Sequence, residues 1–484
     1  MIRHLALTAT AALAGVTLLA GSPAGATSLA GTTTAGTAWA AAKEVPGTAA
    51  LNTGGNAGTT AISCASAGNC ALAGSYEDSQ DGLGGIFVAS RAGGTWGKAA
   101  PLPGFAQLTK DSDARVASIS CASAGNCTLG GYYGGESPPD EPQQSFVASE
   151  VNGTWGKAEE VPGSGKLNTL KAGTVLSVSC GSAGNCTLGG TYTAGNVTYG
   201  GYVDTQVDGV WGQAEQTPGT AALNAGGNSA TQSVSCASAG NCSAGGYYTD
   251  AAHHGQAYVI NQVNGVWRKA EEVPGTGKLN VGGAAQVSSV SCASAGNCSA
   301  VGTYSLGGGD EQGFVVGETD GTWGTAHALT SSAGTPVMRS VSCASVGNCA
   351  AAGGVSTLNS DQPAVASEVN GVWGQAEVAP GSAALNQGGR GRLSQVSCGS
   401  AGNCSAIGTY DSSAGITQEL VISEVNGAWN DALAVPGYSR LNAAGNGDDS
   451  NDGVISCGSA SSCTAGGTYS PSSDIYQAYL VNRS

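Results

Sequence analysis

The stretch "SVSCASAGNCSAGGYY", Ser233 to Tyr248, returns in near-copies along the chain: "ISCASAGNCALAGSY" at Ile62–Tyr76, "ISCASAGNCTLGGYY" at Ile119–Tyr133 and "VSCASAGNCSAVGTY" at Val290–Tyr304. In each copy, five residues ending in Gly-Asn separate two cysteines, and β-favouring residues lie on both sides. Gly and Asn tolerate positive φ, so the short loop can return one strand antiparallel to the other. The cysteines fall in eight pairs with this spacing, and none is left over: Cys64/Cys70, Cys121/Cys127, Cys180/Cys186, Cys236/Cys242, Cys292/Cys298, Cys343/Cys349, Cys398/Cys404 and Cys457/Cys463. Structural zinc sites more often show two to four intervening residues and use histidine; this chain has four histidines in all. The expectation is therefore eight local disulfides, one per hairpin, with no metal and no cofactor. Closing so short a loop contributes about 2–3 kcal/mol per bridge, which pins structure locally.

A second hairpin follows each cysteine pair but the last. "SFVASEVNGTWGKA" at Ser145–Ala158 and "AYVINQVNGVWRKA" at Ala257–Ala270 place β-formers around a two-residue Asn-Gly turn, the strongest short-range hairpin signal. Asp208-Gly209, Asp320-Gly321 and Gly93-Gly94 stand in for Asn-Gly elsewhere, and a Trp follows each after one residue. Each repeat thus offers four strands with no helical segment between them. Four-stranded antiparallel units repeated at this scale are propeller blades, so the predicted class is all-β: an eight-bladed β-propeller. An open array of small disulfide-bonded domains is the competing arrangement, but one such unit could hardly bury an adequate core alone.

The phase of the repeat decides between ring and array. "WAAAKEVPGTAALN" at Trp39–Asn52 copies "WGKAEEVPGSGKLN" at Trp155–Asn168, whereas the last repeat ends "YQAYLVNRS" without a Trp. The N-terminal segment should supply the outermost strand of the last blade, closing the ring and placing the "SVSC" segments innermost. Closure also shelters the two sheet edges that an array would expose.

The Cys-hairpin followed by a Gly-x-Trp hairpin, from Trp39 onward, resembles the repeats of secreted actinobacterial β-propellers grouped with the sialidase-like, or BNR-repeat, superfamily. The family's Asp box reads Ser-x-Asp-x-Gly-x-x-Trp. Here Ser149-Glu-Val-Asn-Gly153-Thr-Trp155 lacks the Asp and is one residue shorter after the Gly. The resemblance therefore implies architecture more than activity.

"MIRHLALTATAALAGVTLLAGSPAGA" has Arg3, an apolar run from Leu5 to Leu19, and small residues at Ala24 and Ala26. It reads as a signal peptide over residues 1–26, leaving a single propeller domain over 27–484 that is secreted and not inserted in a membrane. Export suits sixteen paired cysteines. The formal net charge of −16, with 17 Lys and Arg that form no cluster along the sequence, argues against nucleic acid as a partner.

Motifs for chemistry fail on inspection. "PGSGKLN" at Pro162–Asn168 has Glu160 where a phosphate loop needs its first Gly, and Leu167 where it needs Ser or Thr. "DDSNDG" at Asp448–Gly453 would put Ser459 where a calcium loop needs Glu. His253-His254 reads as a loop tip, and no Ser-His-Asp arrangement is supported. A sialidase needs an arginine cluster, which the sparse basic residues do not reveal. A glycosidase needs two carboxylates at one cleft, for which the loop acids Asp140, Glu141, Asp310 and Glu311 are candidates.

What remains is the face carrying the variable loops. Two repeated positions there suit a sugar's hydroxyl edge and C–H face: an amide at Asn52, Asn168, Asn224, Asn280, Asn386 and Asn442, and an aromatic ring at Tyr76, Tyr132, Tyr192, Tyr247, Tyr304, Tyr410 and Tyr469. The functional expectation is a non-enzymatic, lectin-like binding module, monomeric unless it is a subunit of a larger secreted assembly. Its partner would be a glycan or cell-wall polysaccharide, or else a protein. The alternatives are a glycoside hydrolase or lyase acting in the central depression, and a protein-interaction scaffold.

Overall fold

The computed structural model describes residues 38–78, 84–109, 113–135, 142–195, 197–444 and 453–484. The proposed signal peptide, the loop acids Asp140 and Glu141, and most of the "DDSNDG" segment lie outside them. Among the described residues no helix is long and apolar enough to cross a membrane.

Eight antiparallel sheets form the ring. Blade 4 shows the plan: a first strand Ser229–Ser238, a second Asn241–Thr249, a third Gly255–Val263 and a short outermost Val266–Trp267. The first strands line the axis, each packed against the first strands of both neighbours, with the first and eighth also in contact. In the eighth blade, Val454–Cys457, Cys463–Ser472 and Ile475–Arg483 are completed by Lys43–Glu44, with Trp39 bridged to Arg483. The ring is closed by the N-terminal segment, as the repeat phase requires.

The phrase "SC" has a physical reason. In every blade the serine before the first cysteine accepts a hydrogen bond from the backbone N–H of the first cysteine in the next blade: Ser63 from Cys121, Ser120 from Cys180, Ser179 from Cys236, and so on to Ser456 from Cys64. The eight bonds, at 2.9–3.0 Å, form a closed circle. Outside it, apolar side chains of adjacent blades interlock: Val259 and Val273 meet Val287, Val290 and Phe314 in one shared cluster.

All eight predicted disulfides form, each within its own hairpin: Cys64–Cys70, Cys121–Cys127, Cys180–Cys186, Cys236–Cys242, Cys292–Cys298, Cys343–Cys349, Cys398–Cys404 and Cys457–Cys463. The asparagine before the second cysteine grips the neighbouring turn: Asn126 Oδ1 accepts from Asn152 N, while Gly153 N donates to Gly125 O at 2.8 Å. The eighth loop, "CGSASSC", has no such Asn, and no Asn-Gly turn follows that blade's third strand.

Two expectations need correction. The bridges are more than local pins at a loop, because the second cysteine of each pair is a buried core residue. Cys127 packs with Ile86 and Val88 of blade 1, Cys186 with Val147 of blade 2, and Cys404 with Ala350 and Ala352 of blade 6, each in a cluster shared with the preceding blade. The cause is placement: the bridge lies on the sheet face that meets the preceding blade, where a disulfide sulfur fills space as an apolar atom does. The outermost strand is broken into two-residue pieces; in blade 4 both Val266–Trp267 and Glu271–Glu272 pair with the third strand. The links between blades, expected to lack helix, contain seven four-residue helical turns among the described residues, such as Thr276–Leu279. Each starts after a left-handed glycine, Gly275 at φ 91° for example, and the Thr276 hydroxyl donates to Val273 O. One turn is too short for a helical period to show in sequence.

Candidate functional site

The face opposite the cysteine loops carries a cavity of about 540 Å³ spanning blades 5 to 7. Three arginines line it: Arg339, Arg390 and Arg392. Local structure aims each one. The first strand of blade 6 has a bulge between Met338 and Ser340, so Arg339 is the residue without a ladder partner; a bulge re-aims its side chain out of the sheet. Arg390 lies just before the first strand of blade 7, bridged in parallel to Asp361 of blade 6. Arg392 is two residues further on, opposite Thr409, so strand alternation puts both arginines on one side.

Arg339 and Arg390 are exposed and Arg392 is half-buried. Among the described residues, neither Arg339 nor Arg390 forms an ion pair. The same cavity is lined by four carboxylates, Asp310, Glu311, Asp361 and Asp411. Asp310 and Glu311 thus line the same cavity as Asp361 and Asp411. The reading that basic residues do not cluster holds along the sequence and fails in space: 339, 390 and 392 lie in two adjacent repeats. Their signal was present as the only Arg-x-Arg in the chain.

The repeated amides do not line this cavity, although Asn386 stands behind its wall, donating to Asp361 O and accepting from Asp411 N. Asn52, Asn168, Asn224, Asn280, Asn386 and Asn442 are 3–9% exposed. Asn168 Nδ2 donates to Gln143 O and Gln144 Oε1, and its Oδ1 accepts from Ala172 N, Thr193 N and the Thr193 hydroxyl. Asn280 and Asn386 make the equivalent bonds to the backbone of the third and second strands nearby. In this arrangement the amides fasten the interblade links.

The tyrosines divide by register. Tyr76, Tyr192, Tyr304, Tyr410 and Tyr469 are buried, and the Tyr76 and Tyr192 rings fill space above Gly85 and Gly200, where a Cβ would collide with them. Counting from the second cysteine, the equivalent positions in blades 2 and 4 are Tyr133 and Tyr248, opposite Ala114 and Ser229. The reading took the first tyrosine of each Tyr-Tyr pair, and one residue along a strand reverses the face. Tyr247 is accordingly half-buried where Tyr248 is buried, whereas Tyr132 and Tyr133 are both half-buried; Tyr132 and Tyr247 occupy the position that Thr409 holds beside Arg392 in blade 7.

Glu150, Glu318, Glu368 and Glu424 sit buried between blades on the cysteine face, and burial raises the pKa of each. Glu318 and Glu368 each lie within 4.8 Å of two cysteine sulfurs, but these sulfurs are bonded to each other and offer no thiolate to a metal. His254 is an exposed loop residue 3.7 Å from Asp250.

By sequence the chain matches no family model and no curated protein. Among solved structures it is similar to an ulvan lyase, a polysaccharide lyase, at 11% identity over 82% of this chain and 94% of that one, TM-score 0.42. A protein of unknown function from Dyadobacter fermentans has 9% identity over 93% and 99%, TM-score 0.40. A Hadza microbial sialidase has 9% identity over 66% of this chain and 65% of its own length, TM-score 0.35.

Proposed function

We propose that this chain is a secreted binding propeller whose loop-face cavity recognises an acidic saccharide. The observation that carries the reading is the convergence of Arg339, Arg390 and Arg392 in one cavity of a chain with net charge −16. A guanidinium offers a planar fork of donors matched to a carboxylate or sulfate. Asp361, Asp411 and Thr409 beside it can accept or donate to sugar hydroxyls. Eight disulfides agree with an oxidising, extracellular setting. The cavity breaks the eightfold repeat, so the reading is one site per ring rather than many weak ones.

A second reading, hydrolysis or lysis of the same saccharide, is supported by the acids Asp310, Glu311, Asp361 and Asp411 at that cavity. Titration of uronate-containing or sulfated oligosaccharides against neutral ones, with product analysis of every hit, tests both. Acidic ligands should bind at one per chain, more weakly as salt rises, and the combined R339A/R390A/R392A variant should lose them while keeping its melting temperature. Equal binding of neutral sugars, or full binding by that variant, would overturn the assignment; turnover would establish the enzyme reading.

A further inference from the structure

On the cysteine face, the boundary between successive blades repeats a three-part contact. The sulfur of a blade's second cysteine touches the hydroxyl that follows the second cysteine of the preceding blade. That hydroxyl also meets the third-strand side chain opposite the same cysteine. In blade 1 the parts are Cys70 Sγ, 3.8 Å from Thr464 Oγ1, and Arg91, whose Nη1 donates to that oxygen at 3.4 Å. In blade 8 they are Cys463 Sγ, 3.6 Å from Ser405 Oγ, and Arg483, whose Nη1 donates at 3.0 Å. Blade 4 has the neutral form, with Gln262 beside Thr187 and Cys242. Blades 5 and 6 have the opposite charge: Ser243 donates to Glu318 at 2.8 Å and touches Cys298, and Ser299 donates to Glu368 at 3.0 Å and touches Cys349.

Hairpins of the same Cys-x5-Cys plan, those of blades 1, 4, 5 and 6 sharing the Gly-Asn loop as well, therefore hold their disulfides beside a cation, a neutral amide or an anion. In each, the second cysteine is buried and the first is half-buried, so an incoming thiolate reaches the first sulfur and the second is expelled. A guanidinium stabilises the expelled thiolate, and a leaving thiol of lower pKa departs faster; a carboxylate does the reverse. The two cation-flanked bridges are those of blade 8, which holds the ring's seam, and of blade 1, which packs against it.

We propose that Cys64–Cys70 and Cys457–Cys463 are the exchange-labile disulfides of this propeller, a pair of thiol-reactive sites at and beside the seam, and that the reagent class they take is a small external dithiol. One thiolate of the dithiol attacks Cys64 or Cys457, a mixed disulfide forms, and the electron pair of the broken S–S bond leaves on Cys70 or Cys463. The second thiol of the reagent then attacks the mixed disulfide and departs as its own cyclic disulfide. Two electrons and two protons pass to the protein.

Reduction matters most in blade 8. Its first strand pairs with the second over four residues among those described, and its loop has neither the Asn clasp nor the Asn-Gly turn that brace the other hairpins. Opening Cys457–Cys463 removes the main brace of the blade that receives the closing strand.

The test is limited reduction of the native full chain with dithiothreitol, followed by alkylation and peptide mass mapping of each cysteine over time. Cys64, Cys70, Cys457 and Cys463 should be labelled about tenfold ahead of Cys292, Cys298, Cys343 and Cys349, with Cys236 and Cys242 between them. E318Q, which keeps shape and removes charge, should speed labelling of Cys292 and Cys298 alone, and R91Q should slow Cys64 and Cys70. Labelling at one uniform rate, an order in which the Glu-flanked bridges lead, or an E318Q variant with unchanged Cys292–Cys298 kinetics would each overturn the proposal. The E318Q arm stands in blade 5 and is unaffected by any weakening of the seam in R91Q.

Discussion

Replacing Asn168 with Ala separates a structural amide from a ligand-binding one. The side chain is 3% exposed and makes five hydrogen bonds that tie a helical turn to the third strand of blade 2 and the second strand of blade 3. Some of the partners keep an alternative: Ala172 N also donates to the Thr193 hydroxyl, and Gln143 O also accepts from Gly173 N. Thr193 N and Gln144 Oε1 lose a partner. With net values of about 0.5–1.5 kcal/mol per bond and a larger penalty for each buried group left unpaired, the loss is about 2–4 kcal/mol. For a folded body of this length the unfolding entropy is close to 1 kcal/mol per degree, so the melting temperature should fall by about 2–4 °C. Calorimetry or fluorescence-monitored melting reads this directly, and titration with an acidic oligosaccharide below the transition should give wild-type affinity. A melting temperature within about 1 °C of wild type, combined with lost binding, would refute the structural assignment and return the amide to the ligand.

Three further outcomes follow from the same geometry. Trp39→Ala should cost about 3–5 kcal/mol, since Trp39 is buried among blade 7 and 8 residues including Val421, Tyr469 and Val481; unchanged melting would mean the closing strand does not hold the ring. Asp204 is buried and its pKa is pushed up to about 7 by that burial, so its stabilising protonated form is complete below the unfolded carboxylate value and is lost as pH rises through about 7. The melting temperature should therefore rise as pH is lowered from about 8 to 6, and D204N should flatten that rise. Gly246→Ala should be strongly destabilising because a Cβ there would overlap the Ala230 carbonyl, whereas Gly317→Ala meets nothing within 4 Å and should cost far less; urea denaturation of the two variants ranks them.

The sequence made the ring legible because its information is periodic. Cysteine spacing, Asn-Gly turns and the displaced Trp39 each report a local or a once-per-blade event, and sheet geometry turns these into blades and closure. It even carried the reason for one irregularity: the loop without an asparagine belongs to the blade without a turn to grip. The spacing of Cys127, Cys186 and Cys404 announced their partners but not their burial, because which face of a blade meets its neighbour is a property of the ring and not of the hairpin. The arginine cavity was hard to read because it is aperiodic. Arg339 and Arg392 reach it through a bulge and a strand alternation that bring two repeats together, and the Arg-x-Arg at 390–392 shows only one of the two repeats. The asparagines are ambiguous in sequence for the converse reason. An amide that donates and accepts suits a sugar and a backbone equally well, and only burial distinguishes the two. At Tyr132 and Tyr247, a doublet of identical residues concealed which member faces inward.

The bridge between Trp39 and Arg483 has a counterpart in every other blade, where Trp155 pairs with Glu150 and Trp267 with Gln262 across a turn. On that template Ser484 stands where Val151 does, and Ala38 where Thr154 does, so only the two residues corresponding to Asn152 and Gly153 separate them. In a chain made without residues 1–37, joining Ser484 to Ala38 through Asn-Gly would write an eighth turn and convert the open circle into a cyclic permutation series. Each of the other Asn-Gly or equivalent turns would then be a place to begin the polypeptide anew, and the same ring could be built from seven different starting points.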